Sequence, residues 1–275
     1  MITLDKGKCT VCGLCVKICH EHCMALVDDT VRINRELCST CTQCIAVCPQ
    51  EALSWDHVPP VAYDKARLPS AEQLDELFKE RRTIRFFRSD KIDRTLLEEI
   101  VGYGGYAPTN NFALRAVVVD DEEIIEELDR INLQFVTKIY KVFFKSKIVF
   151  NLIRRIMPAL DPKDKVKIES DLERGHTFHR PAALVFIAGD KRVALSEASA
   201  QYALYNMILY AQAKGMGSCL WGGAELFLDR SKAARKRLGL QKREHILGAL
   251  GLGYPAVMFA NKVKGKTLPI EWNSG

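Results

Sequence analysis

The chain has 275 residues, 48% of them hydrophobic and 27% charged, with a formal net charge of +6. That is the make-up of an ordinary globular protein of one or two domains and excludes a disordered, collagen-like or membrane-spanning chain. The opening Met1-Ile-Thr-Leu-Asp-Lys6 lacks the apolar core of a signal peptide, so a cytoplasmic location is expected.

The charge is unevenly placed. Residues 1–58 hold five Lys and Arg against seven Asp and Glu, a net −2, which leaves +8 for the remainder. The basic excess is spread over a long stretch without a recognised nucleic-acid reading module, so an anionic cofactor is a simpler partner than nucleic acid.

Nine of the ten cysteines fall between Cys9 and Cys48. Cys9, Cys12, Cys15 and Cys19 read C-x-x-C-x-x-C-x-x-x-C, and Cys38, Cys41, Cys44 and Cys48 repeat it with a constant offset of 29 residues. A [4Fe-4S] cube takes four thiolates, three from one tight loop, and in two-cluster ferredoxins the fourth cysteine of each run crosses to the other cube. The pattern therefore predicts one cube on Cys9, Cys12, Cys15 and Cys48 and a second on Cys38, Cys41, Cys44 and Cys19. Pro49 follows the second run as in bacterial ferredoxins, while His20 stands where the first run would have its proline. Cys23 is left over and reads as a small buried hydrophobe, since both cubes are complete without it. Disulfide and zinc readings fit less well, because one needs an oxidising compartment and the other favours C-x-x-C pairs.

Short alternating segments at Ala25–Val27, Thr30–Ile33 and Ala52–Trp55 predict hairpins closing a cluster domain over residues 1–58. Val58-Pro-Pro-Val61 and Leu68-Pro69 mark a linker near 57–69. Ser70 and Gln73 form a capping-box signature for a helix through Leu74, Leu77 and Phe78, and Asp93 caps another that stops before Gly104-Gly105. Ala116–Val119 and Ala182–Ala188 read as buried strands, residues 121 to about 175 as helical, and Leu195–Lys214 as a long apolar helix. A helix near Arg230–Leu238 and a strand near Ile246–Leu252 follow. Mixed order without strict β-α-β alternation argues for an α+β domain over 70–275.

Between Gln134 and Leu160 there are six Lys and Arg among apolar residues and no acid. Four readings stay open: a lid, a docking face for an acidic electron carrier, a membrane-surface helix, or an amphipathic helix packed on its own domain. Gly251-Leu-Gly-Tyr-Pro-Ala256 fits G-x-G-x-x-A, but Pro255 precludes the helix that a dinucleotide fingerprint must open.

Arg81-Arg82-Thr83-Ile84-Arg85-Phe86 resembles the phosphate-binding turn that opens FMN-dependent nitroreductase-family domains. Ala107-Pro108-Thr109-Asn110-Asn111 resembles that family's loop over the flavin. Gly215-Met-Gly-Ser-Cys-Leu-Trp-Gly-Gly223 resembles its glycine-rich turn, after a helix carrying Gln201 and Asn206. With the amino-terminal cysteines, the whole chain resembles a ferredoxin-fused nitroreductase-family protein.

The resemblance implies a bacterial-ferredoxin-like 2[4Fe-4S] domain followed by an FMN-binding α+β sandwich. It places the phosphate on Arg81, Arg82, Thr83 and Arg85, the flavin under Pro108, Thr109, Asn110 and Asn111, and the ring against Leu220, Trp221, Gly222 and Gly223. Gly222 matches the backbone donor to the reactive ring nitrogen. Of the tail lysines, Lys264 and Lys266 match late phosphate and ring contacts, with Lys262 fitting a second register. Cys219 reads as packing, with no histidine near it in sequence to act as its base. Guanidinium forks suit a phosphate dianion independently of any family.

The function so implied is an oxidoreductase that passes electrons from the clusters through FMN to a nitro compound, activated alkene, quinone, carbon–halogen bond or similar acceptor. The alternatives are an electron-transfer module serving a partner protein and a non-catalytic redox sensor. A homodimer is implied, fed by a low-potential donor such as ferredoxin, flavodoxin or NAD(P)H, with neither nucleic acid nor a membrane surface as partner.

Overall fold

A computed structural model describes residues 1–109, 113–156, 162–263 and 267–273. Asn110, Asn111, Lys264 and Lys266 lie outside these. The chain divides into two compact units, Met1–Pro69 with Pro108–Ala113, and Ser70–Ala107 with Leu114–Gly275.

In the first unit β1 (Ile2–Leu4) pairs antiparallel with β4 (Leu53–Trp55), and the amino terminus forms an ion pair with Asp56. The Ala52–Trp55 segment thus closes on the start of the chain, 51 residues away, and not on a neighbouring hairpin strand. β2 (Met24–Val27) and β3 (Thr30–Ile33) do form a hairpin. Its loop, Asp28-Asp29, is left-handed at both residues, the geometry that matches strand twist in two-residue turns. α1 (Leu14–Ile18) and α2 (Gln43–Ala46) carry the cysteine runs. The core is small: Ile2, Met24, Val31 and Leu53 pack directly on Cys15, Cys23 and Cys44. A unit of this size buries too little apolar surface to be secure alone, so whatever the cysteines hold contributes to its folding.

The second unit starts with a capping box at Ser70 in which both arms are made, Gln73 N to Ser70 Oγ at 3.3 Å and Ser70 N to Gln73 Oε1 at 2.9 Å. It opens α3 (Ala71–Glu80); α4 (Arg94–Gly102) follows with Asp93 accepting from Thr95 N. The sheet is β5 (Leu114–Val119), β6 (Ala183–Gly189), β8 (His245–Gly253) and β7 (Gly217–Leu220), in the order β5-β6-β8-β7 and antiparallel throughout.

β6 is buried on both faces, with Val185 and Ile187 on one core and Leu184 and Phe186 on the other. The first core is covered by α4 and by α8 (Ser196–Ala213), through Leu97, Ile100, Leu204 and Met207. The second is covered by α5 (Glu122–Ile139), α9 (Gly222–Phe227) and α10 (Lys232–Arg237), through Leu128, Ala224, Leu228 and Ala234. α6 (Lys147–Ile156) and α7 (Pro162–Arg174) lie between α5 and β6 in sequence.

Two expectations are corrected. The strand at Ala116–Val119 is half-buried because β5 is an edge strand. The stretch Gly215–Gly223 is no simple turn: it contains β7 and the start of α9, and only Gly215, at φ 73°, ends a helix in the expected way. Among the described residues no helix is long and apolar enough to cross a membrane.

Candidate functional site

The 29-residue duplication is written into the backbone as well as the sequence. Val11 and Thr40, Gly13 and Thr42, and His22 and Glu51 are pairs 29 apart, and all six residues have positive φ. Burial follows the same pairing. Cys12 and Cys41 are exposed, Cys15 and Cys44 buried, and Cys9 and Cys38, like Cys19 and Cys48, intermediate.

Cys9, Cys12, Cys15 and Cys48 line one small cavity with Leu4, Val31 and Leu53, so the fourth cysteine of the second run meets the first three of the first. Burial pushes the Cys44 thiol up to about 11, with Cys41 and Cys38 as near neighbours. Cys23 Sγ is 3.3 Å from Cys19 Sγ, and Cys23 is buried, with its thiol pushed up by that burial and then by Cys19 and Cys38. Among the described residues no three His, Cys, Asp or Glu side chains converge as ligands of a single ion would. An all-sulfur set of four, Cys9, Cys12, Cys15 and Cys48, fits an iron–sulfur cube.

In the second unit a cavity of about 660 Å³ lies beside the start of α9. Arg85, Leu220, Trp221, Gly222 and Gly223 all line it, as does Cys219. Sequence brings them together through β7. Thr83 bridges to Ser218, and Ile84 N donates to Ser218 O at 2.9 Å, which lays the arginine turn along the strand. Only glycine allows this at Gly217, where a Cβ would sit 2.9 Å from three carbons of Ile84.

Gly222 is different, since a Cβ there would meet nothing within 4 Å and its backbone does not need a left-handed conformation. Nothing in the chain asks for glycine at Gly222. A planar ring approaching the backbone N–H does ask for it, so the cavity fits a flavin on this side. Arg82 Nη1 donates to Lys79 O at 2.6 Å and to Arg81 O at 2.8 Å, so its guanidinium is turned onto its own backbone. Pro108 and Thr109 group with the first unit.

The roof over the cavity comes from Val136 and Ile139 of α5, from Phe143 and Phe144, and from Ile153 of α6. Lys145 N donates to Tyr140 O at 2.9 Å, closing a π turn over Tyr140–Phe144, a feature common at functional sites. The basic segment thus contributes side chains to the cavity lining, through Val136, Ile139, Phe143, Phe144 and Ile153.

Among the described residues three cations, Arg85, Lys167 and Arg230, line the cavity with one acid, Asp171. Burial, then Arg174, His176, Arg85 and Lys167, holds His179 down to about 4, so its imidazole is neutral at pH 7. Burial raises the Cys219 thiol against the pull of Arg85 and Lys167, which leaves a packed thiol and not a thiolate nucleophile. His179 packs against Trp221 with ring centroids 5.1 Å apart and the planes tilted by 39°.

One polar chain reaches the wall. Asp129 Oδ1 accepts from Thr177 N at 2.8 Å, from Phe178 N at 3.2 Å and from the Thr177 hydroxyl, and Asn132 Nδ2 donates to Thr177 Oγ1 at 2.8 Å. Asn132 Oδ1 is buried without a partner, an arrangement that costs about 1–3 kcal/mol unless something completes it. Asn132, Thr177 and His179 escaped the sequence reading. The available signal was Asp129 and Asn132 standing in the apolar stripe Ile125, Leu128, Val136 of α5, where polar residues need partners.

The family profile for the nitroreductase family matches residues 78–254. The chain belongs to the nitroreductase family. A 4Fe-4S binding-domain profile matches residues 31–54, over the second cysteine run. The protein is therefore an FMN-dependent oxidoreductase of that family carrying a 4Fe-4S domain.

Among solved structures it is similar to a nitroreductase with bound FMN from Bacteroides fragilis. The two are 23% identical with a TM-score of 0.53, over 73% of this chain and 99% of that one. A nitroreductase with bound FMN from Desulfitobacterium hafniense is 18% identical with a TM-score of 0.56, over 71% and 97%. Oxidized iodotyrosine deiodinase bound to FMN and 3-iodo-L-tyrosine is 18% identical with a TM-score of 0.54, over 73% and 99%. At these identities the likeness establishes the nitroreductase-like α+β fold. No curated protein matches the chain.

Proposed function

We propose that this nitroreductase-family protein reduces a small organic molecule, a nitro compound, activated alkene or quinone, in the cavity beside Gly222. Electrons enter at the cysteine-rich unit from a low-potential donor, a ferredoxin, flavodoxin or NAD(P)H. The observation that carries this is the cavity itself: some 660 Å³, lined in large part by apolar side chains, and open at Gly222, where no neighbour requires glycine.

Cys9, Cys12, Cys15 and Cys48 would hold one [4Fe-4S] cube, and Cys38, Cys41, Cys44 and Cys19 the other, within a domain over 1–58. FMN would take Arg81, Thr83 and Arg85 at its phosphate and Leu220 to Gly223 at its ring, within a domain over 70–275. The loop from Pro108 to Asn111 and the lysines Lys264 and Lys266 remain assigned to it by resemblance. When bound, these groups supply single-electron carriage and the conversion of single electrons to pairs.

The residues on the page do the rest. Arg85, Lys167 and Arg230, against the single acid Asp171, favour anionic groups, Phe143, Phe144 and Ile153 limit water, and neutral His179 packs on Trp221.

A homodimer accords with the tail, where Met258 is 95% and Trp272 86% exposed and Leu268 and Ile270 are also open to solvent. Such a run of apolar side chains suits a second copy of the chain. The test is anaerobic reduction of the protein followed by stopped-flow mixing with nitroaromatic, enone and quinone acceptors. Rapid reoxidation with no added protein supports the proposal. Reoxidation only on adding a redox partner protein supports a relay instead.

A further inference from the structure

The wall beside Gly222 holds one polar atom whose direction is fixed by its neighbours. Two backbone N–H groups and the Thr177 hydroxyl converge on Asp129 Oδ1. A carboxylate only accepts, so Thr177 must give its single hydroxyl proton to Asp129. Its oxygen is then left with lone pairs alone, and it can only accept from Asn132. The amide of Asn132 must therefore present Nδ2 to Thr177, as it does at 2.8 Å; flipped, two proton-less oxygens would face each other. Asn132 is 3% exposed, lines the cavity and brings its Nδ2 near Gly223, and its buried Oδ1 has no partner among the described residues.

A two-residue relay thus fixes a carbonyl oxygen as an obligatory acceptor on a residue that lines the cavity. Because this acceptor is already buried and unpaired in the free chain, a ligand that brings the matching donor gains the bond without desolvating the oxygen, while a ligand that lacks it gains nothing there.

We infer that Asn132 Oδ1 is the recognition atom for an N–H or O–H on the molecule reduced here. The site then takes flat, largely apolar electron acceptors that carry a hydrogen-bond donor, such as hydroxyl- or amino-bearing aromatics, over the same molecules with the donor capped. This rests on the cavity being the acceptor site, as proposed above. Asp129 and Thr177 are positioning residues that act through Asn132.

The experiment uses the FMN-loaded full chain and a matched pair, 4-nitrobenzyl alcohol and 4-nitrobenzyl methyl ether, which share ring and nitro group and differ in one O–H. Binding to the oxidised protein is read from perturbation of the flavin absorbance, without turnover. The wild type should bind the alcohol about tenfold more tightly than the ether, the worth of one neutral hydrogen bond. Asn132→Leu should bind the two equally. Thr177→Val, which releases the amide to flip, should shrink the preference with Asn132 still present.

Equal affinities in the wild type overturn the inference without touching the acceptor-site reading, since both compounds would still reoxidise the reduced protein. Loss of FMN, or an equal loss for both compounds, in Asn132→Leu also overturns it, because the oxygen would then serve the flavin or the fold. If neither compound binds or reoxidises the wild type, the acceptor-site reading falls and the inference falls with it.

Discussion

Val11 and Thr40, 29 residues apart, share a left-handed backbone, with φ of 56° and 59°. Both are β-branched, the side-chain type least tolerant of that conformation, and each stands immediately before the second cysteine of its run. Strain repeated at equivalent positions of a duplicated loop belongs to the loop's task, holding thiolates around a cube. Val11→Gly and Thr40→Gly should each keep full iron content and resist guanidinium-induced bleaching better by about 1 kcal/mol, the left-handed penalty removed less the entropy glycine adds. Val11→Pro, with φ locked near −65°, should lose iron. Unchanged bleaching midpoints for both glycine variants would show the loop to be unstrained.

Cys23 lies 3.3 Å from Cys19 yet has no place in either set of four. Cys23→Ala should retain about eight irons per chain, as two cubes require, and Cys19→Ala should retain fewer. Iron loss confined to Cys23→Ala, with Cys19→Ala silent, would reassign the fourth ligand.

Arg85 reaches the cavity, whereas Arg82 is engaged with the carbonyls of Lys79 and Arg81. Removing one charge-assisted phosphate contact costs roughly 1.5–3 kcal/mol, so Arg85→Ala should weaken FMN about ten- to a hundredfold. Riboflavin, which lacks the phosphate, should bind the wild type and Arg85→Ala alike, and Arg82→Ala should change FMN affinity least. Fluorescence-quenching titration of the apoprotein decides. A parallel loss for riboflavin refutes the phosphate role.

Gly217 and Gly222 should respond oppositely to the same change. Gly217→Ala drives a Cβ into Ile84 and should cost about 1–3 kcal/mol of stability. Gly222→Ala meets open space and should raise apoprotein stability by about 0.4–1 kcal/mol while lowering FMN affinity. Full FMN affinity in Gly222→Ala, read by equilibrium dialysis, would mean that the ring does not approach there.

His179 has a pKa of about 4 in the folded chain against an ordinary value of 6.5. Between these values the unfolded chain binds the proton and the folded chain does not, so stability falls as pH drops from 6.5 towards 4 and is fully present above 6.5. His179→Gln should flatten that part of the profile, seen as denaturant midpoints at pH 4.5 and 7.5 followed by tryptophan fluorescence. Identical pH slopes in variant and wild type would count against it.

Much of this was legible where chemistry or a local rule dictates residue spacing. Cluster ligands must recur at fixed intervals, and the Ser70 capping box closes within four residues, so both stand out in a linear reading. β1 escaped notice because three residues, Ile2–Leu4, carry little pattern until Leu53–Trp55 arrives beside them. β7 was hidden because Gly217-Ser-Cys-Leu220 looks like turn chemistry; only pairing with β8 makes it a strand. The Asp129–Thr177–Asn132 relay joins residues up to 48 positions apart, and no local signal ties Thr177 to α5. Adjacent arginines look equivalent in sequence, and only the structure shows the Arg82 guanidinium bonded to the carbonyls at the end of α3.

The stretch that carries Arg85 into the cavity has a second consequence. β7 is the outermost strand on its side of the sheet, and Thr83 and Ile84 lie along its otherwise open edge, with Ile84 N bonded to Ser218 O. An uncovered strand edge is a template for pairing with another polypeptide. Cofactor capture and protection against aggregation therefore hang on the same few residues, and a chain in which this stretch peels away is at once unable to hold its flavin and ready to stick to its neighbours.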